Sequence, residues 1–104
     1  MFDAEDTNNQ LFLTRTFQAL ASVNTRRILE LLAQGPRGGS ELLQVMDSTK
    51  TRIREAMQAL QTVRLVSEGE SRMGTVYRLD PAGLDLARSW LDRVDAIAGI
   101  RGEK

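Results

Sequence analysis

The residues best suited to chemistry lie together at positions 49–54, which read Thr-Lys-Thr-Arg-Ile-Arg with no acidic residue among them. Threonine hydroxyls suit contacts to phosphates or bases, and an arginine that binds guanine through two hydrogen bonds contributes roughly 1–3 kcal/mol of discrimination. A helix that begins here would also attract phosphate at its N-terminus. The candidate DNA contacts in this segment are Thr49, Lys50, Thr51, Arg52 and Arg54. The alternative is a solvated basic face on an ordinary surface helix.

Two further arginines, Arg72 and Arg78, lie in a segment whose pattern indicates a β-hairpin. Arg72 belongs to the polar tip, residues 70–74, which ends on a glycine. From there it would reach a phosphate or the minor groove. Arg78 is a second candidate phosphate contact; alternatively, it pairs with Glu68 or Glu70 across the hairpin.

The sequence contains no cysteine and no histidine. Disulfide bonds, thiolate zinc sites and thiol redox switches are therefore excluded, and so is catalysis by Ser-His-Asp or Cys-His groups. No glycine-rich phosphate loop or paired-carboxylate motif is visible, so we expect no enzyme, no metal centre and no cofactor. An oxygen-only cation site is an alternative in principle if Asp92 and Asp95 are brought near their symmetry mates in a dimer, but a solvated acidic face is the simpler interpretation.

Length and composition point to one globular domain. The chain has 104 residues, of which 41% are hydrophobic and 27% charged, and this is enough for one modest core. Basic and acidic residues number 14 each, and a zero net charge weighs mildly against nucleic-acid binding. No apolar run approaches the roughly 18–20 residues needed to cross a bilayer, and the acidic N-terminus does not resemble a secretory signal. We therefore expect a cytoplasmic protein that contacts no membrane.

Apolar periodicity predicts four helices before the hairpin. They cover residues 9–21, 23–34, 41–46 and 50–63. Ser22, Ser40 and Thr49 are the expected N-caps of the second, third and fourth helices. Asp47-Ser48 form a short break between the third and the fourth.

A hairpin follows, with a first strand that begins at Leu65 and a second over residues 75–79. Asp80 then caps a final helix, which has Pro81 at its first position and ends at Gly99. Two helices joined by a tight break and followed by a hairpin form a winged helix-turn-helix, whose second helix enters the major groove of DNA. The predicted fold is therefore mainly α with a β-hairpin wing, an α+β winged helix-turn-helix.

The domain is expected to span residues 9–99 and to form a homodimer, with residues 1–8 and 100–104 flexible. A single chain would expose apolar side chains on its first and last helices, and pairing them with a second copy enlarges the core. A dimer also places two recognition helices about one DNA turn apart, roughly 34 Å. The predicted interface residues are Leu11, Phe12, Phe17, Trp90, Leu91, Val94 and Ile97.

Several short motifs follow one another in a characteristic order. They are Phe17–Ser22 leading into Arg26–Leu32, then Gly35-Pro36, Ser40–Leu42, Ala59-Leu60 with Leu65-Val66, Tyr77–Leu79, and Pro81 with Gly83-Leu84. Together, over about residues 12–95, they resemble the ArsR/SmtB-type winged-helix repressors. The resemblance implies a homodimer formed mainly by the first and last helices, which binds an inverted repeat in double-stranded DNA and represses transcription. The recognition helix would begin near Thr49.

The sequence departs from this family where the metal sensors bind their ions. Leu43 and Val45 stand about where those sensors carry paired cysteines, and the final helix offers Asp85, Asp92 and Asp95 without a histidine. The resemblance therefore implies a regulator that does not sense metal through cysteine or histidine. The sequence does not identify its effector.

Three further departures concern DNA binding. Asp47-Ser48 replace the usual glycine and aliphatic residue at the turn, and Arg64 replaces the usual glycine before Leu65, at a steric cost if its backbone is left-handed. Glu68 and Glu70 would repel phosphates if they faced DNA. Two hypotheses therefore compete: a DNA-binding repressor with strongly salt-dependent binding, and a winged-helix protein-interaction module that has lost specific DNA binding.

Overall fold

The computed structural model describes residues 4–102, and the side chains of residues 7–99. This part of the chain forms five α-helices, a short 3₁₀ helix and three strands. They are α1 (Ala4–Leu20), α2 (Val23–Ala33), β1 (Arg37–Gly38), α3 (Gly39–Val45), α4 (Lys50–Thr62), β2 (Val66–Ser71), β3 (Gly74–Leu79), the 3₁₀ helix (Pro81–Leu84) and α5 (Asp85–Gly102). The order confirms the predicted winged helix-turn-helix, in which α3 and α4 are the two helices and β2 and β3 form the wing.

Side-chain caps start three of these elements where the sequence predicts them. The Ser22 hydroxyl accepts a hydrogen bond from a backbone N–H in the first turn of α2 at 3.2 Å. Thr49 Oγ1 accepts one from the Arg52 N–H at 3.1 Å, and Asp80 Oδ1 accepts one at 3.1 Å at the start of the 3₁₀ helix. Each cap satisfies a backbone donor that a helix N-terminus otherwise leaves free.

The predicted cap of α3 is wrong. Its N-cap is Gly38, whose backbone N–H donates to the Glu41 carboxylate at 3.0 Å, so Ser40 lies inside the helix. An acidic residue three positions after the cap can accept this N–H, and this contact fixes the start of the helix two residues earlier than the hydroxyl of Ser40 would.

Both terminal helices extend further than the sequence predicts. Residues 4–8 belong to α1 rather than to a tail, since no glycine or proline interrupts them. α5 continues through Gly99 to Gly102, because a glycine inside a helix costs only about 1 kcal/mol relative to alanine. The rest of the predicted flexible ends, residues 1–3 and 103–104, lies outside the described residues.

The three strands form one antiparallel sheet in the order β1-β3-β2. β2 and β3 pair along their whole length, ending with Ser71 opposite Gly74. The turn is therefore only Arg72-Met73, shorter than the predicted tip of residues 70–74. The Ser71 hydroxyl fixes this turn, since it accepts from the Met73 N–H at 3.1 Å and donates to the Gly74 carbonyl at 3.0 Å.

The hydrophobic core lies between the end of α1, the helices α2, α3 and α4, and the base of the wing. Its buried members are Ala19, Ile28, Leu31, Leu32, Leu42, Met46, Ile53, Ala56, Met57, Leu60, Val63, Leu65 and Val66. The end of α1 is joined to α2 by two side chains: the Thr25 hydroxyl donates to the Ala19 carbonyl, and the Arg26 guanidinium donates to the Leu20 carbonyl at 2.8 Å. No helix within residues 4–102 is both long and apolar enough to cross a membrane.

Candidate nucleic-acid interface

The candidate interface is the exposed surface of α4. The opposite side of this helix packs against the core and fixes its position. The buried stripe of α4 consists of Ile53, Ala56, Met57 and Leu60. An α-helix turns by about 100° per residue, so the stripe opposite to it consists of Thr51, Glu55, Gln58 and Thr62, all of which are exposed. The core therefore fixes which side chains α4 presents to solvent.

The basic side chains of α4 lie on two different flanks between these stripes. Lys50 and Arg54, four residues apart, share one flank, whereas Arg52 lies about 160° around the helix axis from both. All three are exposed. Within the described residues, no acidic side chain or other partner forms an ion pair or hydrogen bond with any of their charged groups. The helix thus carries positive charge on both sides of a polar stripe.

The N-terminus of α4 is capped by Thr49 and remains accessible to a ligand. Thr49 uses its oxygen to accept from the Arg52 N–H, which leaves the hydroxyl proton able to donate to another group. Thr51 is exposed in the first turn. The free N–H groups of a first turn and the helix dipole both favour an anion at this end.

The break between α3 and α4 accommodates Asp47-Ser48 without a glycine. Among the described non-glycine residues, Arg64 alone has a positive φ, so neither residue of the break needs the left-handed conformation. The substitution that distinguishes this turn from the family pattern therefore leaves its backbone unstrained.

Arg64 itself adopts the left-handed conformation expected from the glycine it replaces, with φ 59°. Its N–H donates to the Gln61 carbonyl at 3.0 Å, and the Leu65 N–H donates to the Leu60 carbonyl at 2.9 Å. These two bonds form a Schellman motif, and the buried Leu60 and Leu65 side chains supply its usual hydrophobic contact. This turn ends α4 and sets the direction in which the wing leaves it.

The wing holds its two arginines at different places. Arg72 lies in the two-residue turn next to Met73, which is 95% exposed. Arg78 lies on β3 opposite Ser67, and its side chain is exposed. The structure therefore separates a candidate contact at the tip of the wing from one at its base.

Glu68 and Glu70 lie on the opposite face of the hairpin from Arg78, because neighbouring residues of a strand alternate between faces. Glu68 accepts a hydrogen bond from Gln61 Nε2 at 3.0 Å, and Glu70 accepts one from Thr75 Oγ1 at 3.2 Å. The alternative prediction that Arg78 pairs with either glutamate is therefore wrong. Both carboxylates have neutral partners on the face that carries them.

Comparisons with known proteins decide the family. No protein-family model matches the sequence. The chain is 38% identical, over 79 residues, to the HTH-type transcriptional regulator Rv2034 of Mycobacterium tuberculosis, and the match covers 76% of this chain and 74% of that protein. The ArsR-like transcriptional regulator from Rhodococcus sp. RHA1 has a similar structure, with a TM-score of 0.73 and 26% identity over 89% of this chain and 95% of the other. The chain belongs to the ArsR family of winged-helix transcriptional regulators.

A third protein shares nearly the whole length of this ArsR-family regulator. It is the homodimeric winged helix-turn-helix DNA-binding domain of Mb0332 from Mycobacterium bovis, a possible ArsR-family regulator, with a TM-score of 0.70 and 27% identity over 98% of this chain and 94% of that one. These relatives confirm the family resemblance. They are transcriptional regulators and not enzymes, in agreement with the expectation from the sequence.

The predicted dimer residues of this ArsR-family regulator lie on α1 and α5. The rings of Phe17 and Trp90 meet edge to face, with centroids 5.6 Å apart and planes at 71°. From Trp90 a stripe of α5 continues through Leu91, Val94 and Ile97, which are 47%, 41% and 53% exposed. Leu11 on α1 is also exposed, whereas Phe12 is partly buried against the core. We call Trp90, Leu91, Val94 and Ile97 the α5 stripe.

The acidic residues of α5 do not gather into a metal site. Among the described residues, no group of three or more acidic, cysteine or histidine side chains could hold a metal ion. In this ArsR-family regulator, the positions of the usual paired cysteines are occupied by Leu43 and Val45, two exposed apolar side chains.

Gln58 is a further candidate DNA contact that the sequence-based prediction did not include. Gln58 lies on the outer stripe of α4, two turns beyond Thr51, and is exposed. Its amide can bind adenine with two hydrogen bonds. The available signal was its spacing of seven residues from Thr51, which places the two on one face of the helix.

Proposed function

We propose that this protein is a homodimeric, cytoplasmic DNA-binding repressor that binds an inverted-repeat operator through α4 and the wing, and that it does not sense metal through cysteine or histidine. The observation that carries this proposal is the outer surface of α4. Three exposed basic side chains without acidic partners flank the polar stripe there, in which Glu55 is the one carboxylate. This arrangement fits a helix lying in the major groove with a phosphate strand on either side.

Each flank of α4 has its own role in this proposal. Lys50 and Arg54 bind phosphates of one strand, and Arg52 binds the other strand or the edge of a guanine beside it. Thr51 and Gln58 face the bases between them. Thr49 and the free N–H groups of the first turn bind a further phosphate.

The wing supplements α4. Arg72 at its tip contacts a phosphate or the minor groove, and Arg78 at its base contacts a phosphate. Glu68 and Glu70 stay charged, because their hydrogen-bond partners are neutral, but both lie on the other face of the hairpin from Arg78. The register of the hairpin therefore separates the two carboxylates from Arg78.

The shape of the chain supports pairing through the terminal helices. Its accessible surface is 7677 Å², whereas a compact monomer of this mass exposes roughly 5,800 Å². The longest dimension is 53 Å, and the α5 stripe leaves four large apolar side chains exposed. A twofold-symmetric dimer presents two copies of α4, and this symmetry requires an inverted repeat in the DNA.

A genomic selection tests the proposal. Sheared DNA from the source organism is captured on the immobilised protein, and the retained fragments are sequenced. The wild type and Arg27→Ala should enrich the same inverted repeat, because Arg27 is exposed on α2 and already pairs with Glu30 at 3.4 Å. Arg52→Ala should lose the enrichment. Equal, sequence-independent recovery by all three proteins would contradict the proposal and favour the protein-interaction module.

A further inference from the structure

A cleft of about 420 Å³ opens between α3, α4 and β3. Leu43, Met57 and Tyr77 contribute apolar surface to it, and Lys50 and Arg54 contribute positive charge. Its volume lies in the range of small-molecule sites. The core packing of α3 against α4 does not fill this space, so it is available to a ligand.

The lining of the cleft selects the chemistry of its occupant. Among the described residues that line it there is no aspartate or glutamate, and neither Lys50 nor Arg54 has an acidic partner elsewhere in the described chain. The Glu68 carboxylate lies beside the cleft, where it accepts a hydrogen bond from the lining Gln61. Two unpaired cations beside a methionine and a tyrosine suit an anion attached to a flat apolar body. Aromatic ligands stack on tyrosine and contact thioether sulfur favourably.

We propose that this cleft binds a small aromatic carboxylate or sulfonate and that its occupation releases the protein from DNA. The regulatory half of the inference rests on the proposed function, since Lys50 and Arg54 are the residues assigned to one phosphate strand. A bound anion neutralises both side chains. Ligand and DNA therefore compete for the same two charges, and by linkage each lowers the affinity of the protein for the other by the same factor.

The flank opposite the cleft offers a matched control. Arg52 is on the same helix and carries the same charge, but it does not line the cleft. Arg52→Ala should therefore lose DNA binding and retain ligand binding. Lys50→Ala combined with Arg54→Ala should lose both. Leu43→Trp places an indole ring in the cleft where the wild type has a leucine side chain. Because Leu43 is 42% exposed, this change should block the ligand without disturbing the core.

The experiment uses 8-anilinonaphthalene-1-sulfonate as the probe and N-phenyl-1-naphthylamine as its neutral analogue. Both are titrated into the ¹⁵N-labelled full chain, and amide shifts are followed by NMR. The sulfonate should shift Gly39, Leu43 and Gln58 saturably. Its affinity should fall by about tenfold or more in the Lys50→Ala/Arg54→Ala variant and when the sulfonate is removed, because a charged pair dominates the contact. Arg52→Ala should bind as the wild type does.

Different results would contradict the cleft site and the proposed DNA-binding function. Shifts confined to the α5 stripe, equal binding of the neutral analogue, or no binding at all would overturn the cleft site. DNA binding is measured first without the probe: if it is absent, the proposed function fails, and the regulatory half of this inference falls with it. If DNA binds and saturating probe leaves its affinity unchanged, the regulatory half fails while the proposed function stands.

Discussion

Gly83 packs directly against the backbone of Arg64. A methyl group at Gly83 would lie 2.5 Å from the Arg64 carbonyl oxygen and 2.9 Å from the carbonyl carbon. This contact packs the 3₁₀ helix against the left-handed turn that ends α4. One glycine thus joins α4, the wing and the approach to α5.

Gly83→Ala should lower the free energy of unfolding by about 1–3 kcal/mol, because the added methyl overpacks a contact made by rigid backbone atoms. Urea denaturation followed by circular dichroism measures the change. Gly99→Ala is the control, since a methyl group there meets no atom within 4 Å and improves the helix propensity of α5 by about 1 kcal/mol. Equal destabilisation by both substitutions would contradict the assigned contact.

Arg64→Gly should raise the free energy of unfolding by about 1 kcal/mol, because glycine adopts φ 59° without the steric cost that a side chain carries. Thermal denaturation in parallel with Arg64→Ala separates this effect from loss of the guanidinium. Alanine keeps the strained backbone, so it should gain nothing. A gain of the same size in both variants would show that the charge, not the backbone, is responsible.

Thr49→Ala should destabilise the protein by about 1 kcal/mol, because the hydrogen bond from the Arg52 N–H is lost. Thr49→Asp should restore the cap and most of the stability while adding a negative charge at the DNA-facing end of α4. Fluorescence anisotropy with labelled operator DNA should therefore show weaker binding for a variant that is stably folded. Unimpaired DNA binding by Thr49→Asp would remove the N-terminus of α4 from the interface.

Leu91→Glu should convert the proposed dimer to a monomer, because it places a charge in the α5 stripe. Sedimentation equilibrium gives the mass, and Trp90, the one tryptophan of the chain, should emit at longer wavelength once it loses its cover. Val23→Glu is the control, since Val23 is 69% exposed on α2 and outside the stripe. Identical masses for wild type and Leu91→Glu would rule out this surface as the interface.

The sequence predicted those parts of the fold that depend on local signals. Ser22, Thr49 and Asp80 cap helices through atoms two or three residues away, and a short polar side chain before an apolar periodic segment predicted all three. The same signal was wrong at Ser40, because Gly38 caps α3 with the help of Glu41. The left-handed backbone of Arg64 was raised only by the family resemblance, which has a glycine at that position. The buried stripe of α4 followed from spacing alone.

Features that depend on distant residues were not predictable. β1 is two residues long and exists only because Arg37 and Gly38 pair with β3. The register of the hairpin decides that Glu68 and Glu70 lie on the face away from Arg78, and periodicity leaves register undetermined. The cleft beside Lys50 and Arg54 requires α3, α4 and Tyr77 to be brought together, so no local sequence pattern predicts it.

The salt dependence of DNA binding tests the central claim most directly. Anisotropy is measured with the selected operator from about 50 to 200 mM salt. The logarithm of the association constant is plotted against the logarithm of the salt concentration, and each phosphate contact contributes about −0.9 to the slope of this line. Lys50→Ala removes one phosphate contact from each protomer, so the slope of the dimer should become shallower by about 1.8. Arg27→Ala should keep the wild-type slope. A slope that Lys50→Ala leaves unchanged would contradict the assignment of α4 as the DNA-binding surface.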